Sequence, residues 1–181
     1  FPGRFPSSGE NFRVHSLERE LELVAHLAEH GERPVGIYPE IKNPGWHRKE
    51  GVDISLLVLE TLAQYGYEDH VAPAYLQCFD EQELRRIRHQ LGCRLKLVQL
   101  IGEDSWTPEP TDFAAMRTKR GLARLAATVD GIGPWFDQLY RAARRDDDRR
   151  DTGLVARAHA EGLVGHPYTV RGDSLPPGFS G

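Results

Sequence analysis

Val35-Gly36-Ile37-Tyr38-Pro39-Glu40-Ile41-Lys42 reads as a buried strand that ends by presenting a carboxylate and an ammonium two residues apart. Side chains at i and i+2 of a strand share a face, so Glu40 and Lys42 project together. An acid and a cation where an apolar strand stops suggest a place for a metal ion and an anion. A salt bridge on a solvent rim is the plainer reading of the same spacing. Just upstream, Ser16 is placed to cap a helix running to about His30, with Leu17, Leu21, Val24 and Leu27 as its apolar stripe. Glu18 and Glu20 suit its positive end, and Gly31 is placed to stop it.

Downstream of Lys42 the alternation continues. After a loop rich in Asn, Pro and Gly, a helix is predicted over about 52–65, with Ile54, Leu57, Val58 and Leu62 on one face. A strand over 71–79 follows, then a helix over about 80–91. Asp80 is its N-cap and Glu83, three residues on, completes a capping-box pattern. Further strands are predicted over 95–101, 128–133 and 162–170. Helices are predicted over about 112–127, 135–144 and 152–161, the last two flanking the charge run Arg144–Asp151. Repeated strand–helix units imply a parallel sheet with right-handed crossovers. Strands that end in polar and aromatic side chains favour a barrel over an open doubly wound sheet, because barrel sites collect at the strands' C-terminal ends. The expected fold is therefore α/β, a partial (β/α)8 TIM barrel of about five strand–helix units, with residues 1–181 as a single, incomplete barrel domain. Five strands do not close such a barrel. The loop-like ends around Phe1–Gly9 and Leu175–Gly181, and Phe1 in place of Met, are expected to be cut points in a longer chain.

Composition narrows the function classes. A length of 181 residues, 39% hydrophobic and 28% charged, suits one globular domain. A net charge of −4 gives no electrostatic reason to expect nucleic acid or an anionic membrane as partner. No apolar run reaches the roughly 18–20 residues that span a bilayer. Cys78 and Cys93 make no disulfide framework.

The predicted strand ends present Glu40 and Lys42, then Gln77 and Phe79, Gln99, Asp130 with Gly131 and Gly133, and finally His166, Tyr168 and Arg171. This inventory suits a phosphate ester, with carboxylate oxygen for a hard cation and Lys or Arg for the nonbridging oxygens. A lone carboxylate binds a divalent ion poorly, and no second one is an obvious partner.

The runs YPEIK (38–42), YLQCFD (75–80), LVQLI (97–101), DGIGP (130–134) and HPYTVR (166–171) resemble the glycerophosphodiester phosphodiesterases, most of all their longer, bacterial periplasmic type. The opening FPGRFP and FRVHSLERELELV resemble that family's segment before the third barrel strand. The resemblance implies hydrolysis of glycerophosphodiesters to an alcohol and sn-glycerol 3-phosphate, with one divalent cation, calcium or magnesium. It implies an eight-stranded barrel of which this chain matches strands three to seven. By the same resemblance Glu40 is a metal carboxylate and Lys42 contacts substrate phosphate. Gln77 and Phe79 line the pocket, and His166 and Tyr168 bind substrate at the mouth of the seventh strand. The histidine pair that moves protons has no counterpart here, so no catalytic residue is assigned and the chain alone is expected to be inactive. A periplasmic or secreted location is implied, with a small-molecule partner, no nucleic acid and no membrane insertion. The open edges make a homodimer an expectation. A non-catalytic barrel relative that binds glycerophosphodiesters or proteins is the alternative.

Other signals are weaker. His26 and His30, four apart on the first helix, are read as a solvated face. Gly131-Ile132-Gly133 lacks a third glycine and is read as close packing at a strand end. Arg171-Gly172-Asp173 is read as coincidence, and Asp146–Asp148, flanked by arginines, as a solvated loop. Trp106 and Trp135 follow strand ends and either wall the pocket or pack.

Overall fold

A computed structural model describes residues 14–31, 35–106, 111–141 and 150–170. Residues 142–149, which carry most of the charge run, and the tripeptide at 171–173 lie outside that description. The chain resolves into two compact units, Phe1–Val35 and Gly36–Gly181.

The first unit contains α1 (Leu17–His30), with Glu18 and Glu20 in its first turn and Leu21 buried. The Gly31 N–H closes the helix on the Leu27 carbonyl at 2.8 Å. His26 and His30 are exposed with ring centroids 4.3 Å apart, and His30 Nδ1 lies 2.9 Å from the His26 carbonyl oxygen. They form the solvated face expected of them.

The second unit opens with β1 (Glu40–Ile41), much shorter than the predicted strand, although Ile37 still bridges Ala74. Where a loop was expected, Pro44–Lys49 forms α2. Asn43 turns the chain with φ 46°, and Pro44 occupies a first-turn position, where its missing N–H costs nothing. There follow α3 (Ile54–Gln64), β2 (Tyr75–Cys78), α4 (Glu81–His89) and β3 (Lys96–Ile101). The helix expected over 112–127 is split into α5 (Phe113–Met116) and α6 (Lys119–Ala126). Thr118 causes the split: its hydroxyl accepts from the Gly121 N–H at 3.0 Å and caps a new helix.

After β4 (Gly131–Pro134) the described part of the helix predicted over 135–144, residues 135–141, contains no α-helix. In its place are a 3₁₀ turn over Phe136–Leu139 and β5 (Tyr140–Arg141), paired antiparallel with β6 (Arg150–Asp151). The chain instead stays in the sheet past β4: Trp135 N–H bonds the Ile101 carbonyl at 3.0 Å and Phe136 N–H the Tyr168 carbonyl at 2.7 Å. The unit's described elements end with α7 (Leu154–Ala160) and β7 (Val164–Gly165).

β1, β2, β3, β4 and β7 form one five-stranded sheet in that order, every pairing parallel. Five parallel strands alternating with helices are a partial (β/α)8 barrel arrangement. Register sorts the side chains. Ile41, Cys78, Gln99 and Ile132 share one row and are buried on the helix-covered face. Glu40, Gln77, Val98, Gly131 and Val164 share the neighbouring row, on the opposite face. Both cysteines are free and buried, and burial pushes the Cys78 thiol up to about 12. The glycines of β4 are close-packed as expected. A Cβ at Gly131 would sit 2.6 Å from Val164 Cγ2, and one at Gly133 2.7 Å from Leu100 Cδ2.

The capping box at α4 is only half made. Asp80 accepts the Glu83 N–H at 3.0 Å, but the Asp80 N–H turns to Cys78 Sγ at 3.4 Å. The Glu83 carboxylate is buried and gathers Ser55 Oγ at 2.6 Å, Arg86 Nη1 at 2.8 Å and Arg48, tying α2, α3 and α4 together. Arg86 also grips Asp53, the N-cap of α3, and its guanidinium holds that carboxyl below the usual carboxylate range. A depressed acid supplies stability that is complete above its unfolded pKa, about 3.9, and lost as pH falls through the folded value. Asp53→Asn is therefore expected to flatten the acid limb of Tm against pH below about pH 4. An unchanged acid limb in thermal melts across that range would contradict the assignment.

Candidate active site

Glu40 and Lys42 end β1 on a shared face. Their carboxylate and ammonium lie 3.7 Å apart, with Glu40 23% and Lys42 73% exposed. An exposed pair at that distance is worth about 0–1 kcal/mol, so it does little to hold the strand. Gln77 stands beside Glu40 in register, half-buried, and extending the register by two residues sets Phe79 beside Lys42. Phe79 contacts the Tyr168 and Phe113 rings, with centroids 5.9 and 6.1 Å away. Tyr168 bridges Trp135, and its hydroxyl donates to the Ile101 carbonyl at 3.1 Å. Burial, with the negative charges of Glu40 and Glu103 adding to it, holds the Tyr168 phenol well above its ordinary range. The structure thus brings Glu40, Lys42, Gln77, Phe79 and Tyr168 to one end of the sheet.

His166 follows β7 but makes a contact of its own. Its Nδ1 lies 2.9 Å from Tyr38 Oη across the concave face, and the Tyr75 ring meets it edge-on at 4.9 Å. Tyr38 precedes Glu40 by two residues on the same face, one level nearer the strands' N-terminal ends. Burial lowers the His166 pKa and raises that of Tyr38 to about 12, so both are neutral near pH 7. In the Nε2–H tautomer Nδ1 accepts from the phenol.

Two residues of the expected inventory stand elsewhere. Gln99 is fully buried on the helix-covered face and donates to the Phe79 and Leu100 carbonyls at 2.8 and 2.9 Å. Asp130 precedes β4, at the other end of the sheet. There it accepts Arg88 Nη2 at 2.7 Å and the Leu97 N–H at 2.8 Å. Adjacency in sequence to the Gly-Ile-Gly run placed Asp130 one strand-length wrongly. Arg171 lies outside the described residues.

Sequence reasoning passed over Glu103, two residues beyond β3. Its Oε1 accepts Gln138 Nε2 at 2.9 Å, and the same Gln138 amide donates to the Gly102 carbonyl at 2.6 Å. A carboxylate just past an apolar strand end was a readable signal. Gln138 carried none, because it falls where a helix was predicted.

Glu40 is chemically suited to be one ligand of a hard cation, being a partly exposed carboxylate at a strand end. Among the described residues no group of three or more His, Cys, Asp or Glu side chains is placed to hold a metal ion. A calcium or magnesium ion takes six or more oxygen ligands, of which Glu40 would supply one or two.

A parallel α/β half-barrel with an acid and a cation at its strand ends defines the class. The chain belongs to the glycerophosphoryl diester phosphodiesterase family, whose model matches residues 2–174. It is 36% identical over 195 residues to a glycerophosphodiester phosphodiesterase of Haemophilus influenzae, covering 99% of this chain and 54% of that protein. A Treponema pallidum protein of the same description is 30% identical, covering 96% of this chain and 53% of its own length. The Arabidopsis thaliana glycerophosphodiester phosphodiesterase GDPD6 is 33% identical, covering 94% and 49%. The chain thus spans about half the length of these curated relatives.

Proposed function

We propose that this chain is part of a metal-dependent hydrolase of the longer, bacterial periplasmic type that cleaves glycerophosphodiesters to an alcohol and sn-glycerol 3-phosphate. The observation that carries this reading is the Glu40–Lys42 pair at the strand ends of a barrel that belongs to this family. Glu40 is one carboxylate ligand of a single calcium or magnesium ion, which when bound supplies Lewis acidity toward the phosphoryl group. Lys42, largely exposed and free to reach outward, neutralises a nonbridging phosphate oxygen. Gln77 offers its amide beside Glu40, and Phe79 and Tyr168 wall the pocket. His166, neutral and bonded to Tyr38, acts in substrate binding rather than proton transfer. The proton-carrying histidines are assigned to residues outside these 181, and the location to the periplasm or the exterior. Among the described residues no further strand pairs with the outer edge of β1 or β7, and edges of that kind support self-association of the isolated chain.

The test is a pair of assays with glycerophosphocholine and calcium. The full-length protein is expected to release sn-glycerol 3-phosphate, and the 181-residue chain to release none. Clear turnover by the short chain would mean that the proton carriers lie within it. No turnover by the full-length protein on any glycerophosphodiester would remove the reading.

A further inference from the structure

The mouth of the half-barrel carries a group that the reading above leaves unused. Directly after β3, Gly102 lets the Trp106 indole lie against the backbone: a Cβ at Gly102 would stand 2.8 Å from Trp106 Cε3 and 3.3 Å from Phe79 Cε1. Trp106 is 49% exposed and its ring lies 5.1 Å from that of Trp135, which follows β4. Phe79 and Tyr168 continue this aromatic wall. Beside it stands Glu103. The buried Gln138 side chain fixes this carboxylate, donating to Glu103 Oε1 at 2.9 Å while anchored on the Gly102 carbonyl at 2.6 Å. Arg117 Nη1 forms a long ion pair with Glu103 Oε1 at 4.0 Å, beyond hydrogen-bond length. The wall therefore joins a held carboxylate to aromatic faces, one of them half open to solvent.

We propose that Glu103 and the indole faces of Trp106 and Trp135 form a subsite for a cationic alcohol group, an ammonium such as choline carries, of the glycerophosphodiester. The inference rests on the site reading above and adds to it a selectivity. An ammonium is attracted to the negative face of an indole and to a carboxylate at the rim, whereas a neutral alcohol of similar shape gains only contact area. The subsite is polarised to suit a zwitterion. Lys42 follows β1 and Glu103 follows β3, about 10 Å away across the sheet and about 10 Å further along it by register. A phosphate held at Lys42 leaves its alcohol substituent to extend toward Glu103. Gln138 is a positioning residue here: it touches the carboxylate and not the substrate.

The test compares glycerophosphocholine with neutral glycerophosphoglycerol on the full-length protein, wild type and Glu103→Gln. The expected result is a preference for the choline diester that drops about fivefold in Glu103→Gln, through KM with kcat little changed. Equal kcat/KM ratios in the two proteins would overturn the subsite while leaving the phosphodiesterase reading intact. Loss of all turnover in wild type would instead remove that reading. Choline binding then decides the subsite by itself: choline should quench tryptophan fluorescence saturably in wild type and not in Trp106→Leu, and 3,3-dimethylbutanol should not compete. No saturable quench in wild type would also overturn it.

Discussion

Glu40→Ala in the full-length protein is expected to lower turnover of glycerophosphodiesters about a thousandfold or more at ordinary calcium, with Tm almost unchanged. The two halves of that expectation separate function from structure. The Glu40–Lys42 contact is 3.7 Å long and Lys42 is 73% exposed, so its loss costs less than about 1 kcal/mol of stability. A group at the reacting centre behaves differently, since removing a single charge-stabilising partner there costs about 10²–10³ in rate. Losing a carboxylate ligand also weakens metal affinity. Glu40→Gln, which keeps the shape and drops the charge, should fall nearly as far. Initial rates over a calcium series check this. If activity survives in Glu40→Ala at ordinary calcium, the assignment of Glu40 to the metal is wrong, and a large loss of Tm would return it to a structural role.

Gly121→Ala is expected to destabilise the fold by about 3 kcal/mol, lowering Tm by roughly 10 °C for a chain of this size. Local propensity argues the other way, because alanine is better than glycine inside a helix by about 1 kcal/mol. Packing decides the sign. A Cβ at Gly121 would lie 2.0 Å from the Ala115 carbonyl oxygen and 2.8 Å from Met116 Cα, both backbone atoms that no rotamer change can move away. α5 and α6 would have to separate, opening the contacts of the buried Phe113, Met116, Leu122 and Leu125. Thermal melts of the single variant check this, and an unchanged or raised Tm would show that α5 and α6 do not approach so closely.

Thr118 shows why that close approach was not readable. The stretch over 112–127 has a helical apolar pattern throughout, and only the capping bond from Thr118 to the Gly121 N–H divides it. In the same way Pro44 looked like a loop residue until Asn43 placed it in the first turn of a helix. The segment from Trp135 has helical periodicity, yet Trp135 and Phe136 stay in the sheet, donating to the Ile101 and Tyr168 carbonyls. In the first two cases a local cap or turn, and in the third a tertiary partner, overrode a local preference worth less than about 1 kcal/mol per residue.

The candidate site divides along the same line. Glu40 and Lys42 share a face because of the two-residue period of a strand, a property of five consecutive residues that needs no partner. The order of strands and helices, and hence a parallel sheet with its site at the strand ends, follows from apolar periodicity and caps such as Asp80, which are also local. Tyr38 with His166, 128 positions apart, depends instead on how far the first and last strands are staggered across the sheet. The hold of Gln138 on Glu103, 35 positions apart, depends on the fold of a segment whose own pattern pointed to a helix. Periodicity specifies which face of an element a residue occupies and carries no information on stagger between elements. Sequence alone therefore determined the acid and the cation at the strand end. Packing alone decided that Tyr38 meets His166 and that Gln138 holds a second carboxylate, Glu103, beside the strand ends.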